Sequence, residues 1–94
     1  MHISVRFIGG LFRVSGRNKL ILNLKYGTDL RWAVERITQE FPELKATLID
    51  LELQDPRPTT LIFLNGKEIS ILQGMETKLG NGDEIAFIPI SHGG

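Results

Sequence analysis

Few side chains in this sequence are of types that do chemistry unaided. The two histidines, His2 and His92, stand near opposite ends, and there is no cysteine, which excludes a thiolate metal site and a cysteine nucleophile. Ser91 precedes His92, but no acidic residue stands nearby to orient the imidazole as a general base. Asp83 and Glu84 are neighbours on a predicted strand, so their carboxylates face opposite sides. We therefore predict that the chain is not an enzyme and holds no metal or cofactor of its own.

The reactive group that remains is the carboxylate of Gly94. The sequence ends in Ile-Ser-His-Gly-Gly, and because Gly93 and Gly94 have no Cβ, their backbone can lie in a channel too narrow for any side chain. A carboxylate is inert until one oxygen becomes a leaving group. Adenylation by ATP on a second protein would achieve this, and the mixed anhydride can then accept sulfur or an amine. The dipeptide alone is not specific, since flexible tails are often rich in glycine.

The composition limits the class of protein. A chain of 94 residues is long enough for one domain only. Its 11 basic and 11 acidic side chains cancel, which argues against a dedicated nucleic-acid binder, because such proteins rely on a cationic surface. No apolar run approaches the ~20 residues of a membrane span, and the first residues lack the apolar stretch of a secretory signal. We expect a cytoplasmic domain that contacts neither nucleic acid nor membrane directly.

The charges are unevenly distributed along the chain. Residues 1–47 hold eight basic and four acidic side chains, and residues 48–94 hold three and seven, so the halves carry +4 and −4. We interpret the halves as interleaved in one fold with their charges in solvent. The alternative is that they serve docking to a larger protein.

The first half of the chain predicts a hairpin followed by a helix. Residues 2–7 and 20–26 alternate between apolar and polar, as half-buried strands do, and Tyr26 falls on the apolar face of the second strand. The apolar spacing then becomes helical, with Thr28 as the expected N-cap and Glu40 near the end. The predicted buried stripe of this helix consists of Leu30, Val34, Ile37 and Phe41.

The second half predicts three strands. The elements are, in order, a loop at 50–59, a central strand at 61–64, a hairpin turn at Asn65-Gly66, a short strand at 67–71, a loop at 74–82 anchored by a buried Leu79, and a strand at 83–90.

This element order, β-β-α-β-β-β, predicts an α+β domain over residues 1–90 and a flexible tail over 91–94. We expect a mixed sheet of about five strands with the helix on one face and the other face open. If Ile85 and Phe87 face the helix, Ala86 and Ile88 face outward, and we interpret these two residues as a candidate partner face.

Several segments together resemble one known family. Phe7-Ile8-Gly9-Gly10 is similar to the FGG that ends a strand in that family, and residues 57–65 are similar to the family's RPG-plus-strand segment. Residues 82–87 (GDEIAF) are similar to the family's GDEVAF. The other two segments are Leu72-Gln73-Gly74 with Leu79, and the final His92-Gly93-Gly94. Over nearly its whole length the chain resembles the ubiquitin-like sulfur carriers. These are the MoaD and ThiS group and, most closely, the ubiquitin-related modifier family. Pro89 is more similar to the MoaD chains.

The resemblance implies a ubiquitin-like β-grasp fold and a reaction at Gly94. An E1-like adenylating enzyme, which supplies the ATP site, would activate the carboxylate, and a sulfurtransferase would supply sulfur for a C-terminal thiocarboxylate. That group would serve tRNA thiolation, or the activated carboxyl would be joined to lysines of target proteins. Gly93 and His92 would take part in recognition of the tail.

Two other functions remain open at this point. The first is a MoaD-type small subunit that donates sulfur in molybdenum cofactor biosynthesis while held by the large subunit of molybdopterin synthase. The second is a β-grasp binding module whose tail is never activated. The sequence also leaves open which lysines are conjugated, its own included; these are Lys19, Lys25, Lys45, Lys67 and Lys78.

Overall fold

The computed structural model describes residues 1–9, 16, 18–44 and 60–89. The predicted loop at 50–59, the turn at Arg17 and the tail at 91–94 lie outside the described residues. The main elements are β1 (His2–Phe7), β2 (Lys19–Asn23), α1 (Leu30–Glu40), β3 (Thr60–Leu64), β4 (Lys67–Glu68) and β5 (Glu84–Pro89). Short 3-10 turns lie at Pro42–Leu44, Ile69–Ile71 and Gly74–Glu76.

The strands form one mixed sheet in the order β2-β1-β5-β3-β4. Its parallel pair is β1 with β5, which sets Val5 beside Ile85 and Phe7 beside Phe87. The other neighbouring strands are antiparallel. Parallel strands cannot be joined by a tight hairpin, and here α1 is part of the connection between them. The predicted fold, an α+β β-grasp with a five-stranded mixed sheet and one main helix, is confirmed.

The helix covers one face of the sheet because its apolar side chains share one stripe. The ring of Phe7 stacks on that of Phe87 with centroids 5.9 Å apart, and it meets the ring of Phe41 edge-on at 6.2 Å. Phe41 lies just beyond the helix, as its C-cap, and packs against the core. The buried residues of α1 are Leu30, Ala33, Val34, Ile37 and Thr38. Apart from Phe41, which follows the helix, the predicted stripe is confirmed.

The predicted N-cap of the helix is wrong by one residue. A carboxylate oxygen of Asp29 accepts a hydrogen bond from the Trp32 backbone N–H at 3.1 Å, as an N-cap side chain does. The hydroxyl of Thr28 donates instead to the Lys25 carbonyl at 2.6 Å. Thr28 therefore closes the turn that precedes the helix.

The second strand ends three residues earlier than predicted. β2 stops at Asn23, and the Thr28 N–H bonds to the Lys25 carbonyl at 3.2 Å, so the chain turns through these residues. Gly27 permits the turn because its φ is +90°. Tyr26 lies within this turn and is 78% exposed, so its placement on the apolar face was wrong.

In the second half, β3 lies between β5 and β4, as predicted for a central strand, and begins one residue earlier than predicted, whereas β4 is shorter than predicted. β3 is buried on one face only, since Leu61 is 37% exposed while Ile62 is fully buried. β4 ends at Glu68, because the Glu68 carboxylate caps a 3-10 turn by accepting the Ser70 N–H at 2.7 Å. The hairpin turn is confirmed, with positive φ at both Asn65 and Gly66.

The loop that follows is anchored as predicted. Leu79 is buried, and its N–H donates to the Thr28 carbonyl at 3.1 Å. The Thr77 carbonyl accepts the Leu30 N–H at 2.9 Å. These bonds hold the loop against the start of α1.

Candidate functional site

The open face of the sheet carries an apolar patch across β3 and β5. In the antiparallel register, Leu61 lies opposite Ile88 and Phe63 lies opposite Ala86. All four side chains point away from α1, because they alternate with buried residues on both strands. Leu61 is exposed and the other three are half-buried. We call Leu61, Phe63, Ala86 and Ile88 the outer patch.

Charged side chains border the outer patch. Arg6 lies beside Ala86 in the register, and its guanidinium is 3.6 Å from the Glu84 carboxylate. Both side chains are about half exposed, at 52% and 40%, so solvent screens this pair and it contributes little to stability. Glu68 lies opposite Phe63 on the other side. An apolar centre with a polar rim is the usual composition of a protein-binding surface.

The outer patch reaches the last described residues of β5. The Ile8 N–H donates to the Phe87 carbonyl at 3.0 Å, which extends the pairing of β1 with β5. Gly9, with φ +61°, comes so close that a Cβ on it would lie 3.4 Å from Cγ of Pro89. The end of β1 therefore supports Pro89, from which the five residues 90–94 continue.

The structure separates the predicted site residues into two groups. Ala86 and Ile88 lie on the outer face, because Ile85 and Phe87 are buried on the inner face. Gly94, Gly93 and His92 lie outside the described residues.

Sequence reasoning missed Leu61 and Phe63. The run Leu61–Leu64 is apolar throughout, so the period of two that marks a half-open strand does not show in it. Thr60, the polar residue that starts the strand, gives no help, because it is buried on the same face as Ile62 and Leu64 and its polarity would suggest the opposite orientation.

The described residues offer no metal centre and no membrane span. They contain no group of three or more histidine, aspartate or glutamate side chains arranged to hold a metal ion. No helix among them is long and apolar enough to cross a membrane.

The family model described as the ThiS family matches residues 5–94 of this sequence. The chain belongs to the ThiS family. Membership places it among the ubiquitin-like sulfur carriers and modifiers, and the resemblance stated from the sequence is confirmed. Among curated protein sequences, none is a significant match.

Solved structures agree with this assignment. The chain is similar to the small archaeal modifier protein 1 from Methanosarcina acetivorans, with 26% identity, a TM-score of 0.86, and coverage of 99% of this chain and 96% of that one. It is also similar to Urm1 from Trypanosoma brucei, with 30% identity, a TM-score of 0.82, and coverage of 99% and 95%.

A third similar chain was solved together with a partner protein. It belongs to a complex of subunits 1 and 2 of the molybdopterin-converting factor from Helicobacter pylori. The identity is 26%, the TM-score is 0.64 and both chains are covered completely. A chain of this fold thus works in contact with a second protein, which supports protein partners for the ThiS-family chain described here.

Proposed function

We propose that this ThiS-family chain is a sulfur carrier and protein modifier whose Gly94 carboxylate is adenylated by an E1-like enzyme and converted to a thiocarboxylate. One observation carries the proposal: the family match runs from residue 5 through the terminal Gly93-Gly94, so it covers the domain and the tail together. A binding module with an inert tail would need the domain only.

The chemistry follows from the carboxylate. An oxygen of the Gly94 carboxylate attacks the α-phosphorus of ATP and releases pyrophosphate, which leaves an acyl adenylate. A sulfide nucleophile from a sulfurtransferase system attacks the carbonyl carbon, the C–O bond to AMP breaks, and the thiocarboxylate remains. An amine of a lysine attacking the same carbon forms an amide and releases AMP. Both outcomes need a good leaving group on Gly94 and no side chain from the carrier.

The outer patch is the proposed docking surface for the adenylating enzyme. Ile88 belongs to the patch and is followed by Pro89, the last described residue of β5. The five residues 90–94 can span at most about 18 Å, from the ~3.3–3.6 Å reach of an extended residue. An enzyme that covers the patch must therefore hold its ATP within that distance of Pro89.

The proposed acceptors of the sulfur are tRNA uridines, with lysines of target proteins as acceptors of the activated carboxyl. A second candidate function is that of a MoaD-type subunit which donates sulfur in molybdenum cofactor biosynthesis. It is favoured by the likeness to a chain solved within a molybdopterin-converting factor complex. Co-purification with a molybdopterin synthase large subunit would favour the second candidate, and loss of tRNA thiolation on deletion would favour the first.

The test is a mass measurement on the intact chain. The protein is incubated with an E1-like enzyme, ATP and a sulfide donor, and we expect a mass increase equal to the replacement of one oxygen by sulfur. A variant that lacks Gly93-Gly94 should fold normally and show no change. A mass that stays constant with every adenylating enzyme encoded in the same genome would contradict the proposal.

A further inference from the structure

Strand β2 leaves one edge of the sheet open. It is the terminal strand of the sheet order, and within the described ranges 1–9, 16, 18–44 and 60–89 it pairs with β1 alone. The Phe7 N–H donates to the Asn18 carbonyl, and the Leu24 N–H donates to the Met1 carbonyl. Because backbone bonding alternates along an antiparallel strand, the even-numbered residues from 18 to 24 bond to β1. The intervening residues therefore direct their N–H and C=O groups outward, away from β1. These residues are Lys19, Ile21 and Asn23.

A groove of about 380 Å³ lies beside the end of this strand. The chain that follows β2 forms one wall and the solvent side of α1 forms the other. Trp32 stands in the groove and is 62% exposed, which is unusual for so large an apolar ring. The lining residues are Asn23, Leu24, Lys25, Thr28, Trp32, Glu35, Arg36 and Gln39.

The charges around the open edge favour an acidic partner. Lys19 stands at the start of β2 and Lys25 just beyond its end, and neither has an ion-pair partner among the described residues. Arg36 is neutralised by Glu40 at 3.4 Å, which leaves Glu35 as the acidic side chain of the groove. Lysines at both ends of an edge strand also disfavour pairing with a second copy of this chain, because like charges come together.

We propose that the β2 edge and this groove bind an extended segment of a partner protein, apolar at its centre and acidic at its ends, which adds to the sheet as a sixth strand. Main-chain hydrogen bonds to Ile21 and Asn23 supply the affinity, and the side chains of the segment alternate between the two faces. One face meets Ile21, which is 57% exposed, and the other meets Trp32.

The distance between Lys19 and Lys25 determines the spacing expected between the acidic residues of the bound segment. Lys25 follows Lys19 by six positions, which corresponds to about 20 Å of extended chain at ~3.3 Å per residue. Acidic residues about six positions apart in the segment therefore reach both lysines. This surface lies at the opposite end of the sheet from β3 and β4, and it is distinct from the outer patch.

The test uses the fluorescence of Trp32, the single tryptophan of the chain. The probe is a synthetic peptide, acetyl-Asp-Glu-Val-Ile-Val-Ile-Glu-Asp-amide, and the control peptide has lysine at each acidic position. We expect a saturable change in emission with the acidic peptide and none with the basic one. The variant Lys19→Glu/Lys25→Glu should weaken binding roughly tenfold. Lys67→Glu, on the opposite edge strand, should leave it unchanged.

Amide hydrogen exchange tests the addition of a strand. In the free protein the amides of Ile21 and Asn23 should exchange fast and those of Leu20 and Leu22 slowly. With the acidic peptide bound, all four should exchange slowly. Protection of Ile21 in the free protein, binding without protection of Ile21, or no binding of the acidic peptide would each overturn the proposal. None of these outcomes involves Gly94, so the result is independent of the proposed sulfur transfer.

Discussion

Asp29 stabilises the start of the helix because its carboxylate accepts the otherwise unpaired N–H of Trp32. A negative charge at this end also interacts favourably with the helix dipole. We expect Asp29→Ala to lower the free energy of unfolding by about 1 kcal/mol, measured by urea denaturation.

The matched control for this variant is Thr28→Ala. It removes a bond to the Lys25 carbonyl in an exposed turn and leaves the first turn of the helix intact, so the loss should be smaller. An equal or larger loss for Thr28→Ala would show that the cap has been assigned to the wrong residue.

Strand β3 presents two faces with different roles. Ile62 is fully buried under α1, whereas Leu61 beside it is 37% exposed on the outer patch. Ile62→Ala should therefore destabilise the domain by about 2–5 kcal/mol, because it leaves a cavity. Leu61→Ala should cost less, about 1–2 kcal/mol, because its side chain remains partly in water in the folded state and its loss leaves no closed cavity. Thermal unfolding of both variants measures this contrast.

The Leu61→Ala variant also tests whether the outer patch binds a partner. If the outer patch binds the adenylating enzyme, we expect Leu61→Ala to raise the KM of that enzyme for this chain, measured as the rate of pyrophosphate release. The kcat should stay unchanged, because the patch takes no part in the reaction. An unchanged KM for Leu61→Ala and for the equivalent change at Phe63 would remove the outer patch from the proposed interface.

The absence of cysteine is a property of the whole molecule with a measurable consequence. A thiol-specific alkylating reagent has no thiolate to modify in the untreated chain. After incubation with an E1-like enzyme, ATP and a sulfide donor, we expect one alkyl group per chain, located at Gly94 by peptide mass analysis. Labelling elsewhere, or equal labelling of the variant without Gly93-Gly94, would contradict a terminal thiocarboxylate.

Much of the fold could be predicted from local patterns. The alternation of β1, the helical spacing that ends at Glu40 and the Asn65-Gly66 turn each depend on residues close together in the chain, and all three are confirmed. The errors fall where neighbours that are distant in sequence, or turns with their own hydrogen bonds, decide the outcome. Tyr26 leaves the strand because a turn begins, and Leu61 is exposed because none of the described elements packs on the outer face of β3.

The residues of the candidate site divide in the same way. Gly93 and Gly94 can be proposed from sequence because their chemistry belongs to the backbone and the terminal carboxylate. The four residues of the outer patch come from two strands more than 20 positions apart, and only the β3–β5 register brings them together.

By itself the sequence determined the family, the class of fold and the group proposed to react, because these follow from periodicity, turn residues and motifs read along the chain. The tertiary structure alone decided which face of β3 and β5 is open, that β2 is the edge strand among the described strands, and that Trp32 stands in a groove beside it. Exposure and strand neighbours are properties of packing between distant segments, and no local pattern encodes them.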